Sequence, residues 1–456
     1  MDEPSSTVCA VAGVWSDIPG LLCPEERASF ESAVVIALRA VEGAESAEAG
    51  RRAAAGLASL FTRRPEVADR FLAELAELAA EDEGGFSDDE AGPVVPGGVP
   101  YLRSLILTVL YATDRAAGRG AGTPRNAGSA QTGVSTTGGR PGSAFGGRRG
   151  PLVFGAARVG VPDDHRMGVL EKPARWSLRF RARPARDVLV GDVTALSREA
   201  FVERARTWAG TGAEREAAGA KDVLVFVHGY HVGFEDALTR TAQIVYDLQF
   251  PGLAVLYSWP SRGSVLSYTH DENNARWTVP HFREFLRVVR AAAGTGQVHI
   301  VAHSMGCRVV ADALADPGHE PGPAPEAPLG QVVFAAPDID AEVFRDLAPA
   351  FVPRARGCTL YASSNDKALA LSRRLAGYPR AGQSGSGMLL VDGVDTVDAS
   401  DLDTGLSGHS YIGDNSSILS DLYALVRHGH PPAERFGLNA VTRAGSVYWR
   451  FPARRG

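Results

Sequence analysis

A short apolar run that ends at a serine places the strongest constraint on the fold of this chain of 456 residues. Residues 298–306 read VHIVAHSMG, and a helical pattern of apolar residues follows them. A strand that turns sharply into a helix at a serine is the setting of a nucleophile elbow, which needs small residues two positions before and after the serine. Ala302 and Gly306 fill these positions. Ser304 is therefore the predicted nucleophile, and the alternative is an ordinary helix cap.

Strand-like and helical patterns alternate from residue 151 onward. Short apolar runs predict strands at 224–227, 254–257, 298–302, 332–335 and 359–362. Apolar residues at three- and four-residue spacing predict helices at 234–249, 282–293, 305–315, 341–347, 367–375 and 417–426. Such alternation is typical of a parallel sheet covered by helices. The predicted fold class is therefore α/β, with a mostly parallel sheet flanked by helices.

The formal net charge of −6 is the sum of unlike regions. Residues 1–93 hold 19 acidic and 7 basic residues, and their apolar spacing predicts a small all-α module that offers a surface to a protein partner. Residues 94–150 read as a linker with one strand, at 105–111, and a flexible loop rich in glycine and arginine. Residues 151–435 form the predicted α/β domain, and residues 436–456 a C-terminal tail.

Composition and charge exclude several classes of protein. Hydrophobic residues make up 45% of the chain and charged residues 22%, which excludes a wholly disordered protein. The acidic balance predicts no nucleic-acid partner. The acidic start and the lack of a long apolar run predict neither a secretion signal nor a transmembrane segment. The four cysteines lack metal-ligand spacing, so we expect a cytoplasmic protein without a metal or an organic cofactor.

A second apolar strand pattern ends in the pair His228-Gly229. In hydrolases with such an elbow, a His-Gly pair at this place opens the oxyanion hole, which needs two backbone N–H groups. Met305, directly after the predicted nucleophile, supplies one N–H by its position, and Tyr230 or His231 supplies the other. We interpret His228 as structural support rather than as the general base.

An acid must follow Ser304 in the chain if the elbow belongs to a catalytic triad. Asp366 comes after the strand pattern at 359–362 and is the preferred acid. Asp338 follows the preceding strand and is the alternative acid, since the carboxylate only has to reach the far nitrogen of the histidine. Asp338 also suits the N-cap of the helix predicted at 341–347.

A histidine must then follow the acid. His409 lies in a loop of small residues before the last predicted helix, from which its ring can reach the serine, and it is the preferred base. His428 and His430 flank the end of that helix, where positive groups have a simpler structural use.

Three aromatic residues follow the second core strand of the α/β pattern: Trp259, Tyr268 and Trp277. This segment should lie at the carboxyl edge of the sheet, where α/β folds bind ligands. The aromatic rings are therefore candidates for the wall of a substrate pocket. The alternative for each ring is a place in the apolar core.

Together these segments resemble the alpha/beta hydrolase superfamily, and more closely a bacterial esterase/lipase-like family of unknown function. The resemblance rests on LYATDR at 110–115, VHGY at 227–230, YSWPS at 257–261, HSMG at 303–306, APDID at 336–340, SND at 364–366 and SGHSY at 407–411. Two features depart from it. His231 stands where members usually have Asn, and the loop at 115–150 looks like an insertion. Residues 1–93 lie outside the resemblance.

The resemblance implies a serine hydrolase that cleaves a small-molecule ester or a lipid-like substrate through an acyl-enzyme. Its triad would be Ser304, Asp366 and His409. Two other hypotheses stay open. One is a hydrolase effector that is recruited through residues 1–93, with partner binding as the regulated function. The other is a hydrolase-like scaffold without turnover.

Overall fold

The computed structural model describes most of the chain beyond residue 103. The described ranges are 104–118, 144–162, 164–171, 188–207, 221–262, 268–294, 296–316, 328–402 and 411–452, with nine single residues between 30 and 64. The chain divides into two compact units, Met1–Gly92 with Ser264–Tyr268, and Pro93–Gly263 with Thr269–Gly456.

Little of the first unit is described. Eight of its nine described residues before position 65 are helical, and Phe30 and Leu60 among them are buried. The remainder of the all-α module predicted at 1–93 lies outside the described residues. Both the module and its boundary therefore stay predictions.

The second unit is built on one large sheet. Its strands are β1 (Ser104–Ala117), β2 (Phe145–Pro162), β3 (Leu189–Leu196), β4 (Val223–Val227), β5 (Leu253–Ser258), β6 (Val298–His303), β7 (Leu329–Ala335), β8 (Ala355–Ala362), β9 (Val394–Asp398), β10 (Asn439–Arg443) and β11 (Ser446–Arg450). Across the described chain the strand order is β10-β11-β9-β8-β7-β6-β4-β5-β1-β2-β3. The pairs from β11 to β1 are parallel, and the pairs at the two ends are antiparallel.

Helices flank this sheet. They are α1 (Arg198–Thr207), α2 (Phe234–Asp247), α3 (Tyr268–Trp277), α4 (Val279–Ala293), α5 (Met305–Ala315), α6 (Ala341–Phe351), α7 (Lys367–Ala376), α8 (Tyr411–Asp414) and α9 (Ser416–His428). Several helices turn one apolar face inward; α4, for example, buries Phe282, Phe285 and Val289. The predicted α/β class, a mostly parallel sheet flanked by helices, is confirmed. Among the described residues, no helix has the length and apolar character needed to cross a bilayer.

The prediction of a flexible loop at 115–150 is wrong at both ends of this range. Strand β1 continues to Ala117, and β2 already begins at Phe145. Phe145 is buried edge-on against Tyr111 and Phe234, with ring centroids 5.8 and 4.8 Å apart. The high glycine and arginine content gave no indication of these buried residues. The sheet begins at residue 104, ahead of the start that was predicted for the α/β domain at residue 151.

The predicted C-terminal tail at 436–456 is also wrong, because most of it is a hairpin that extends the sheet. Strands β10 and β11 pair through a tight turn in which Ala444 and Gly445 both have positive φ, at 50° and 85°. Such a two-residue turn matches the twist of paired strands. Trp449 of β11 pairs with Val397 of β9, and Phe451 is buried behind it.

The parallel strands end at one edge of the sheet. His228 follows β4, Ser258 is the last residue of β5, and Ser304 follows β6. Ala336 follows β7, and Asp366 comes four residues after β8. Because the carboxyl ends of parallel strands form the ligand-binding edge of α/β sheets, this edge is the place to examine for a site.

Candidate active site

Ser304 stands on a strained turn between β6 and α5. Its φ of 53° and ψ of −123° lie outside the regions that L-residues ordinarily occupy. The backbone holds it there: Ser304 N–H donates to the Ala335 carbonyl at 2.9 Å, and the Ser304 carbonyl accepts from Cys307 N–H at 3.0 Å and Asp338 N–H at 3.3 Å. We call residues 303–306 the nucleophile turn. Strain of this kind at a strand-to-helix junction is the signature of a nucleophile elbow.

The nucleophile turn packs directly on the loop after β4, residues 228–232, which we call the His228 loop. A Cβ at Gly306 would lie 2.4 Å from the His228 carbonyl oxygen and 2.7 Å from that of Val227. A Cβ at Gly229 would lie 2.8 Å from the Cβ of Ser304. Glycine at these two positions therefore lets the two backbones approach each other closely.

His228 is enclosed at the base of its loop. Its Nδ1 lies 2.7 Å from the Gly229 carbonyl oxygen, and its ring stacks on the Trp259 indole with centroids 5.3 Å apart. The Trp259 Nε1–H donates to the His228 carbonyl at 2.8 Å. Burial and the neighbouring Arg115 cation hold the pKa of His228 well below its usual value. A neutral, enclosed ring of this kind is suited to support the loop.

Arg115 is the residue that the sequence prediction missed. Its guanidinium is fully buried and donates to Ser258 Oγ at 2.8 Å, and to the carbonyls of Ser261 at 2.9 Å and Val232 at 2.7 Å. Its Nη2 also lies 3.2 Å from His228 Nε2. Burial lowers the pKa of Arg115 to about 10, so the group stays charged at neutral pH. The signal in the sequence was a charged pair, Asp114-Arg115, directly after an apolar run.

Asp114 forms a second buried cluster beside Arg115. Its Oδ2 accepts a short hydrogen bond from the Thr278 hydroxyl and lies 2.9 Å from His281 Nδ1 and 3.3 Å from the Tyr257 hydroxyl. The hydrogen bond to Asp114 raises the pKa of His281. The cluster ties β1 and β5 to the start of α4.

Asp271 of α3 anchors the segment after β5. Its carboxylate accepts from the Ser261 hydroxyl at 2.7 Å and from Arg262 N–H at 3.0 Å. Burial raises the pKa of Asp271, while these two donors and the backbone N–H of His231 favour its charged form. His231 itself has a positive φ of 62°.

The two candidate acids have different neighbours. Asp366 is buried and caps α7, where its Oδ1 accepts from Leu369 N–H at 2.9 Å. Asp338 accepts from the Ser372 hydroxyl at 2.6 Å and lies 3.3 Å from Arg380 Nε, with both members of this ion pair buried. The cap of α6 is not Asp338, as the sequence suggested, but Asp340, whose Oδ1 accepts from Glu342 N–H at 2.9 Å.

A comparison with known proteins identifies this architecture. Residues 205–426 match the model of a protein family described as an alpha/beta hydrolase of unknown function. The match includes Ser304 and the His228 loop. This region has the alpha/beta hydrolase fold. An uncharacterized protein of Nostoc sp. (strain PCC 7120 / SAG 25.82 / UTEX 2576) is 26% identical over 119 residues, which are 21% of this chain and 31% of that protein. The chain thus spans about a third of the curated relative that it matches.

The other predicted residues of the hydrolase domain have separate outcomes. Met305 is the buried first residue of α5, and Tyr230 is partly buried in the His228 loop, so their roles in an oxyanion hole stay predictions. His409 lies outside the described residues, so the assembly of the triad stays a prediction. Trp259 is fully buried, which agrees with the core alternative rather than with a pocket wall.

The remaining two aromatic candidates stand at the two ends of α3. Tyr268 and Trp277 are both partly buried. The Trp277 ring meets His281 edge-on at 4.7 Å, and the Arg149 guanidinium lies 4.9 Å from its centroid. Their role as walls of a substrate pocket stays a prediction. A cavity of about 420 Å³ is lined by other residues, among them Glu272, Arg308 and Asp312.

Proposed function

We propose that the alpha/beta hydrolase domain is a serine hydrolase that cleaves an ester or related acyl bond of a small-molecule or lipid-like substrate. The observation that carries this proposal is the strained backbone of Ser304, held by Ala335 and Asp338 at the carboxyl edge of the sheet. Strain of this kind persists only where the surrounding structure enforces it, and it is typical of functional positions. The start of α5 beneath the serine also favours a developing negative charge.

In the proposed reaction, His409 accepts the hydroxyl proton of Ser304 while Oγ forms a bond to the substrate carbonyl carbon. Asp366 orients His409 and stabilises its protonated form. Backbone N–H groups of Met305 and of Tyr230 or His231 bind the oxyanion. The alcohol then leaves with the proton from His409. Water gives a proton to His409 as its oxygen attacks the acyl carbon, and Ser304 Oγ leaves with that proton as the carboxylic acid is released.

A fluorophosphonate probe tests the proposal, since it phosphonylates an activated serine whatever substrate the enzyme cleaves. We expect the wild-type protein to be labelled and Ser304→Ala to be unlabelled. Ser416→Ala is the matched control, because Ser416 is an exposed serine at the start of α9, and it should be labelled like the wild type. A folded wild-type protein that takes no label would support a scaffold without turnover instead.

Recruitment through residues 1–93 is a second proposal, and it rests on the excess of 19 acidic over 7 basic residues there. An acidic surface favours a basic protein partner. A pull-down with the full chain and with a chain that starts near Pro100 tests it. Loss of partners from the shortened chain, with equal probe labelling of both, would support recruitment; an identical set of partners would remove it.

A further inference from the structure

We propose that Arg115 and His228 form a positioning pair, which fixes the peptide between Gly229 and Tyr230 so that Tyr230 N–H serves the oxyanion hole. This inference rests on the proposed serine hydrolase function. It also selects between Tyr230 and His231, which the sequence left open.

The first step is the tautomer of His228. An arginine side chain can only donate hydrogen bonds. The Arg115 Nη2 lies 3.2 Å from His228 Nε2, and the Ser258 hydroxyl, which accepts from Arg115 Nε, lies 3.1 Å from the same nitrogen, so both groups can donate to an Nε2 that carries no proton. The proton of the neutral ring is then on Nδ1, which lies 2.7 Å from the Gly229 carbonyl oxygen and donates to it. Arg115 thereby favours the tautomer in which the nitrogen that faces the Gly229 carbonyl carries the proton.

The second step is the geometry of the peptide. A trans peptide group is planar, and its C=O and N–H point in opposite directions. No cis peptide bond occurs among the described residues. Because the Gly229 carbonyl is directed to His228 Nδ1, the Tyr230 N–H of the same peptide is directed away from the imidazole. The Trp259 indole holds the preceding peptide in the same way through the His228 carbonyl.

The third step is the place of this peptide. Gly229 lies against the nucleophile turn, where an added Cβ would be 2.8 Å from both Ser304 Cβ and His303 Nδ1. The next amide along the chain, that of His231, favours the charged form of the Asp271 carboxylate, which also accepts from the Ser261 hydroxyl. Tyr230 N–H therefore belongs to the peptide that the Arg115–His228 pair fixes, and it directly follows the residue that packs on the nucleophile turn.

Arg115 also holds the surroundings of the loop. It donates to the Val232 carbonyl at the end of the loop and to the Ser261 carbonyl beyond β5, at 2.7 and 2.9 Å. The planar guanidinium makes these bonds in fixed directions, which a lysine ammonium cannot reproduce. One buried cation from β1 thus sets the separation between the loop after β4 and the segment after β5.

Kinetics of variants test this positioning role. Arg115→Met and Arg115→Lys should each lower kcat for p-nitrophenyl butyrate and the rate of fluorophosphonate labelling by about 10- to 100-fold, with KM within about twofold; direct removal of one oxyanion donor costs about 10²- to 10³-fold. Arg435→Met is the matched control, since Arg435 is equally buried but pairs with Asp421 and not with the His228 loop. It should lower the unfolding temperature and leave kcat per folded molecule unchanged.

A spectroscopic measurement reports the tautomer directly. In the full-length protein labelled with ¹⁵N-histidine, the His228 signals, assigned by their loss in His228→Gln, should show a protonated Nδ1 and an unprotonated Nε2 throughout the pH range of stability. In Arg115→Met this pattern should change. A protonated Nε2 in the wild type would overturn the inference.

The outcomes separate the two proposals. A wild-type protein that takes no probe contradicts the serine hydrolase itself. A wild-type protein that is labelled, together with a folded Arg115→Met that reacts at the wild-type rate, contradicts only the positioning role.

Discussion

The backbone of Gly229 lies directly against the side chain of Ser304. A methyl group at position 229 would stand 2.8 Å from Ser304 Cβ and equally close to His303 Nδ1. Since Cβ contacts are not that short in proteins, Gly229→Ala must displace either the nucleophile turn or the His228 loop. Displacements of about 1 Å can cost about 10²-fold in rate. We therefore expect kcat for a chromogenic ester to fall about 100-fold, with cooperative thermal unfolding retained.

The control for Gly229→Ala is Gly387→Ala. Gly387 is exposed, and an added Cβ there would meet no atom within 4 Å. The Gly387→Ala substitution should leave both kcat and the unfolding temperature unchanged. Wild-type kcat in Gly229→Ala would show that the close approach does not matter for the reaction.

Exchange of each candidate acid for asparagine should separate their roles. We expect Asp366→Asn to lower kcat by about 10⁴-fold, the size of the loss when the acid of a triad becomes an amide. Asp338→Asn should instead lower the free energy of unfolding, because the buried Arg380 guanidinium loses its charged partner. Ester hydrolysis per folded molecule and urea unfolding measure the two effects. Retained activity in Asp366→Asn, with loss in Asp338→Asn, would assign the acid to Asp338.

His281 should make the stability of the fold depend on pH. The hydrogen bond to Asp114, 2.9 Å long, and the nearby Glu284 raise the pKa of His281 on folding. A raised pKa stabilises the folded state fully below the unfolded pKa, and this contribution is lost as pH rises through the folded pKa. His281→Gln should therefore cost more stability at about pH 5.5, below the ordinary histidine pKa, than at about pH 8.5. Urea unfolding across this range provides the measurement, and a pH-independent cost would contradict it.

Removal of residues 436–456 should destabilise the sheet, because most of these residues belong to it. The deletion removes the β10–β11 hairpin, uncovers the edge of β9, and takes away the buried Phe451. An uncovered parallel edge strand invites pairing with other chains. We expect a lower unfolding temperature and concentration-dependent self-association, measured by calorimetry and light scattering. A chain that lacks only residues 453–456 retains both strands and should behave like the wild type.

The elbow and most central elements could be predicted from the sequence because their signals are local. The helix that starts at Met305 was predicted with its observed bounds, and the serine before it carries the strain that a strand-to-helix turn requires. In each of these segments the strand or helix pattern lies within about ten residues, where apolar periodicity is informative.

The network around Arg115 could not be predicted, because its partners are distant in the chain. Ser258 is 143 positions away and Val232 is 117 positions away, so no local pattern joins them. The glycine-rich composition nearby predicted a solvated loop from residue 115, although Arg115 is a buried residue of β1 with several acceptors. The ion pair between Asp338 and Arg380 could not be predicted for the same reason, because the two residues become neighbours only when the chain has folded.

Strand β1 comes before the other described strands in the chain, but its parallel partner β5 is made much later. During synthesis, Arg115 leaves the ribosome long before Ser258, and contacts between such distant residues form slowly. Until β5 docks, the arginine has neither its hydroxyl acceptor nor the carbonyl of Ser261. The acceptors of Arg115 nevertheless all precede Ser304, so the His228 loop and the residues that support it leave the ribosome before the nucleophile turn is made.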